Sequence, residues 1–204
     1  MKPLIFLFVV LWLTVAVSGT VYLSRFENTP AEQSAYYPAI FPPESRLELD
    51  PVRPTLIFFA HPKCPCTRAS LHELARLMAN TDGKVKAYVV FIKPAGASEH
   101  WTDTDLRTEA EAMSNVQVII DEESRESNIF HAQTSSLTLL YDRDGKLRFN
   151  GGITASRGHE GDNAGSRKIF EIVTSADDMT GEWFVFGCPL HEENCTGELI
   201  KAAN

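Results

Sequence analysis

The chain has 204 residues, a formal charge of −8 at neutral pH and only 19 Lys and Arg, which excludes a nucleic-acid binder that tracks phosphates along a basic stripe. That length accommodates one membrane or targeting segment and one domain of roughly 150 residues, and two full domains are a tight fit. Apart from solubility, the acidic balance says little about partners.

Residues 1–25 open with Lys2 and continue uncharged from Pro3 to Ser24 before Arg25. A run of that length spans a hydrocarbon core of about 30 Å as a helix. A cleaved signal peptide is the competing reading, with "AVSG" at 16–19 as its small-residue site. The apolar run continues past that site, which favours an uncleaved anchor with the remaining chain on the extracytoplasmic, periplasmic side. Residues 26–50 are proline-rich and aperiodic, and read as an extended tether.

The domain expected over 51–176 begins with "TLIFFA" at 55–60, a continuous apolar run of strand length, buried on both faces. From Thr67 the residues Leu71, Leu74, Ala75 and Met78 recur at helical spacing. "KVKAYVVFI" predicts a second strand, "DLRTEAEAMS" a helix, "VQVII" a third strand and "DEESRESNIFHA" a short helix with a capping-type acidic start and exposed acidic faces. "SLTLLYD", "RDG" and "KLRFNGG" predict a hairpin, and a closing helix begins at Asp162 or Asn163. Alternating strands and helices followed by a hairpin predict an α/β domain with a mixed sheet. The tail, 177–204, contains "WFVFGCPLHEENC" and shows no clear period.

Cys64 and Cys66 stand between the first strand and the first helix, in "HPKCPCTRAS". Unpaired N–H groups and the positive end of a helix dipole stabilise a thiolate there, and Lys63 and Arg68 add positive charge. With one residue between them, the two sulfurs close only a small, strained ring, so a disulfide formed there is a reducible, working one. Pro65 suits a first helical turn. In an exported tail, Cys188 and Cys195 are spaced for a small disulfide loop, although with His191 they also fit a metal turn, and Cys188 can fold back as a resolving thiol. His61 is as readily a hydrogen-bonded loop histidine as a ligand. Trp101 and Trp183 read as packing residues and His72 as solvated.

The strand, the Cys-containing turn, the helix and the late hairpin with its closing helix together resemble the thioredoxin superfamily over roughly residues 50–175. "LIFFAHPKCPCTRASLHEL" is similar to that family's strand and active-site helix. The anchor, "HPKCPCTRAS", "GGITASRGHEGDN" and "FGCPL" also resemble a branch of membrane-anchored bacterial proteins labelled RedB-like. The alignment puts Cys66 on the family's second cysteine and Lys63 on its first, so Cys-x-Cys replaces Cys-x-x-Cys. It puts Ser136 where the family carries a cis-proline that shapes the substrate groove and keeps metals off the thiols. The resemblance also implies that the loop 154–163, with Arg157, His159, Glu160 and Asp162, lies near the sulfurs, where His159 serves as base or ligand.

These readings predict a thiol-disulfide oxidoreductase acting on an exported partner without a required cofactor. Cys64 is the expected attacker, as the more exposed thiol, and Cys66 the resolver, with Lys63 and His159 assisting. The alternative is a copper-binding protein or metallochaperone that uses Cys64, Cys66, His61 and His159 as ligands.

Overall fold

The structure is a computed structural model that describes residues 2–175 and 178–191. Helix α1, Lys2–Asn28, projects from the domain, and its apolar span Pro3–Asn28 is long and apolar enough to cross a membrane. At 1.5 Å per residue such a span reaches roughly 39 Å, more than a hydrocarbon core of about 30 Å.

The domain alternates β1 (Thr55–Ala60), α2 (Pro65–Thr81), β2 (Lys86–Lys93), α3 (Asp105–Glu111), β3 (Val116–Glu122) and α4 (Arg125–Ile129). It continues through β4 (Thr138–Tyr141), β5 (Leu147–Gly151) and α5 (Ala164–Thr174) to a two-residue strand, β6 (Gly181–Glu182). The sheet order is β3-β2-β1-β4-β5-β6. Strands β1, β2 and β3 run parallel, β4 is antiparallel to both β1 and β5, and β6 runs parallel to β5. This is the mixed sheet flanked by helices that the sequence predicts.

Strand β1 is buried along its whole length because both faces of the sheet are covered. Leu56, Phe58 and Ala60 face a core shared with Leu71, Leu74 and Met78 of α2 and Ile169 of α5. Ile57 and Phe59 point the other way, onto Phe130, Tyr141 and Leu47. Alternation along a strand thus divides one apolar run between two cores.

The proline-rich stretch lies on that second face. Leu147 donates its N–H to Ala39 at 2.9 Å, and the Tyr141 hydroxyl donates to the Pro38 carbonyl at 2.9 Å. Tyr37, Phe41, Leu47 and Leu49, spaced among the prolines, supply the apolar contacts. Proline disfavours regular ladders without preventing burial.

The "DEESRESNIFHA" segment differs from expectation. Asp121 and Glu126 are buried. Asp121 accepts from the N–H groups of Glu126 and Ser127, capping α4, while Glu126 accepts from the Ser45 hydroxyl at 2.6 Å and the Arg46 N–H at 3.1 Å. The acidic cap is the one expected at this start, whereas the burial of both carboxylates and the tie from Glu126 to the proline-rich stretch are not.

Candidate functional site

Strand β1 ends at Ala60, and the turn His61–Cys64 delivers the chain into α2. Cys64 is the N-cap, with φ −90° and ψ 123°, and Pro65 occupies the first helical position, where its missing N–H costs no helix bond. His61 is buried: its N–H donates to the Ser135 hydroxyl at 3.0 Å, its Nδ1 accepts from Lys63 N–H at 3.2 Å, and its ring packs edge-on against Trp101. The Thr67 hydroxyl reaches Ser135 at 2.7 Å and the His61 carbonyl at 3.2 Å. Thr67 and Ser135 thereby clamp the cysteine turn to the loop before β4.

A third cysteine completes the site. Cys188, from the chain after β6, lies beside the turn, and its Sγ is 2.9 Å from that of Cys64. The ligand atoms of Cys64, Cys66 and Cys188 all lie within 4.8 Å of one another. Their exposures are 0%, 8% and 7%, so the thiols form a buried cluster of their own.

Three expectations change here. Cys64, expected to be the more exposed thiol, is fully buried, with the Cys188 sulfur packed against its own. Cys188, expected to pair within the tail, turns inward to Cys64, while Cys195 lies outside the described residues. The helix-start argument for a thiolate fails for Cys66, whose thiol is pushed well up. Hydrogen bonding to Cys188 and Cys64 is the main cause and burial adds to it, so packing among other thiols outweighs the helix dipole.

The nearby cations are engaged elsewhere. Lys63 is exposed and holds its ammonium 3.7 Å from the centroid of the Trp101 ring, while Arg68 pairs with Asp105 at 2.6 Å. His159 is exposed, with Nδ1 2.9 Å from the Arg157 carbonyl oxygen. Neither His61 nor His159 joins the cluster of metal-competent atoms found among the described residues. His72 is less solvated than expected, since it bridges Glu109 at 2.7 Å and Glu160 at 2.6 Å.

The loop 154–163 does reach the site, through Arg157. Its N–H donates to the Glu27 carbonyl at 2.9 Å, and its buried guanidinium donates to the carbonyl of Gly187, next to Cys188, and lies 5.0 Å from the Phe26 ring. Further along, Glu73 on α2 accepts from Gly161 N–H at 2.7 Å and from the Asn163 amide, fixing the loop against α2.

Ser136 stands in the position that the resemblance assigns to a cis-proline. Among the described residues there is no cis peptide bond, and Ser136 takes φ +72°. Its N–H donates to Phe59 at 2.7 Å. A proline has no N–H to give and cannot reach that φ.

Three parallel strands, a thiol-bearing turn between the first strand and its helix, an antiparallel hairpin and a closing helix decide the architecture. The fold is thioredoxin-like. No family model matches the chain, and no curated protein does. Among solved structures, an uncharacterized conserved protein from Geobacillus kaustophilus aligns with TM-score 0.58 and 17% identity over 81% of this chain and 97% of its own. The hypothetical protein SMc02350 from Sinorhizobium meliloti 1021 aligns with TM-score 0.55 and 18% identity over 70% and 82%. A secreted Mycobacterium tuberculosis disulfide oxidoreductase homologous to E. coli DsbE aligns with TM-score 0.42 and 12% identity over 59% and 80%. Within the thioredoxin-like frame, Cys188 lies against Cys64, a fold-back that the sequence offered as one of three placements and that only the fold selects.

Proposed function

We propose that this protein is a membrane-anchored thiol-disulfide oxidoreductase, facing the extracytoplasmic side and acting on an exported protein. The observation that carries the reading is the Cys64–Cys188 sulfur contact at 2.9 Å within a buried three-thiol cluster. Cys64 and Cys188 meet without the strained ring that Cys64 and Cys66 require. Cys188 therefore replaces Cys66 as the resolving thiol.

In the reducing direction, the Cys64 thiolate attacks one sulfur of a partner disulfide. A Cys64–partner bond forms, the partner disulfide breaks, and the released partner sulfur leaves as a thiolate that takes up a proton. The Cys188 thiolate then attacks Cys64 Sγ, forming the Cys64–Cys188 disulfide and expelling the second partner thiol. Two electrons pass to the partner, and the oxidising direction is the reverse. Cys66, with its thiol held protonated, supports the cluster by hydrogen bonding.

The test is a trapping experiment in the full chain. Cys188→Ser is expected to accumulate a mixed disulfide at Cys64, whereas Cys66→Ser turns over normally. Accumulation in Cys66→Ser and none in Cys188→Ser would sink the assignment.

A second reading rests on the same three sulfur atoms, all within 4.8 Å of one another. Three soft, buried thiolates suit Cu(I), with no histidine needed in the first coordination sphere. Stoichiometric copper in the anaerobically purified full chain, lost in each single Cys→Ser variant, would favour this reading. Metal-free protein that exchanges disulfides with a test dithiol favours the first.

A further inference from the structure

The segment that brings Cys188 to Cys64 is laid down like a strand. Ser135 donates its N–H to the Cys188 carbonyl at 2.8 Å, and Leu190 donates its N–H to the Gln133 carbonyl at 2.8 Å. Between these bonds Thr134 and Pro189 form an antiparallel bridge. Val185, Phe186 and Leu190 are buried along the same stretch.

Gly187 sets how closely the two backbones approach. A Cβ built there would lie 1.8 Å from the Ser135 carbonyl oxygen and 2.8 Å from its carbon, a clash with backbone that no rotamer relieves. Only glycine fits directly before the cysteine. The sulfur that follows stands where a sulfur attacked by Cys64 must stand. Cys64 is fully buried with the Cys188 sulfur against its own, so a partner sulfur takes that position only once Cys188 has left it.

We propose that the Gln133–Ser135 edge is a docking strand for an extended partner segment in which glycine directly precedes the reacting cysteine, and that Gly187–Leu190 is its resident occupant. The partner displaces the resident segment, pairs with Ser135 through its own cysteine carbonyl, and presents its sulfur to Cys64. This inference rests on the oxidoreductase reading for the partner's reactive group. The steric rule at Gly187 stands on backbone contacts alone.

The test uses the full chain carrying Gly187→Ala and Cys188→Ser, so that the resident segment is weakened and Cys188 is absent. The probe is the nonapeptide of residues 183–191, with its cysteine as a thionitrobenzoate mixed disulfide. Cys64 thiolate attacks the peptide sulfur, a Cys64–peptide disulfide forms, and thionitrobenzoate leaves with the electron pair and is read by its colour. The peptide is expected to react at least tenfold faster than one with alanine before its cysteine, with the adduct on Cys64 by mass spectrometry. Equal rates for the two peptides, no reaction with either, or an adduct on Cys66 overturns the proposal. Separately, Gly187→Ala with all other residues intact is expected to raise maleimide labelling of Cys64 at least tenfold while a cooperative unfolding transition persists. Unchanged labelling overturns it, and if that variant does not fold, the peptide comparison is made in the full chain carrying Cys188→Ser alone, and decides. Peptide discrimination in a protein that cannot exchange disulfides with a dithiol would leave the docking edge standing and remove the oxidoreductase reading. Dithiol exchange without discrimination would do the reverse.

Discussion

The sulfurs of Cys64 and Cys188 lie 2.9 Å apart although the residues are 124 positions apart in the chain. Two helix-start cysteines thus become two-thirds of a site whose last member arrives from beyond the closing helix. A disulfide between them closes nearly the whole domain into one loop. On chain-entropy grounds such a cross-link stabilises the folded state by about 5 kcal/mol. The oxidised full chain is therefore expected to contain a Cys64–Cys188 bond by peptide mapping and to unfold at higher denaturant than the reduced chain. A mapped Cys64–Cys66 bond would contradict this arrangement.

Ser136 offers a direct check on the loop that receives the tail. Its φ of +72° and its hydrogen bond to Phe59 are both incompatible with proline. Ser136→Pro, which restores the residue expected from the resemblance, is predicted to destabilise the domain by on the order of 3 kcal/mol. Urea unfolding of the two proteins measures the difference, and equal midpoints would show that this loop adopts another conformation.

The first turn of α5 packs on backbone. A Cβ at Gly165 would fall 1.9 Å from the Gly152 carbonyl oxygen. Gly165→Ala is expected to lower the unfolding free energy by about 3 kcal/mol despite alanine's better helix propensity, because overpacking outweighs the propensity gain. A stabilised variant would rule out this close approach.

Asp50 gives a pH signature. The hydrogen bonds from the Arg53 side chain, then the N–H groups of Val52 and Arg53, hold its carboxyl down to about 2, from an ordinary 3.8. The folded state binds this proton less readily than the unfolded chain, so the stabilisation is full above the ordinary value and is lost as pH falls toward 2. The stability gap between the native chain and Asp50→Asn is expected to close over that interval in denaturant titrations. A gap unchanged down to pH 2 would show that the carboxylate charge is not its source.

Much of the architecture was legible because its signals are local. The apolar run Thr55–Ala60, the amphipathic stripe of α2, the hairpin and the Asn163 cap, whose side chain accepts from Ser166, each depend on residues close in sequence. The acidic cap of α4 was legible in the same way, but the burial of Asp121 and Glu126 was not, because a carboxylate that accepts from a distant Ser45, as Glu126 does, looks the same in sequence as a solvated one.

The candidate site divides along the same line. The sequence by itself determined that two cysteines flank the first turn of a helix after a buried strand, since strand period, proline position and helix stripe are short-range properties. Only the tertiary structure decided which sulfur Cys64 faces, how little of it solvent reaches, and that His159 stays exposed. Those outcomes follow from the backbone pairing of Gln133–Ser135 with Cys188–Leu190 and from the space that Gly187 leaves open. Such contacts join segments more than fifty residues apart, and the spacing of residues along a chain does not encode which distant backbone will lie against it.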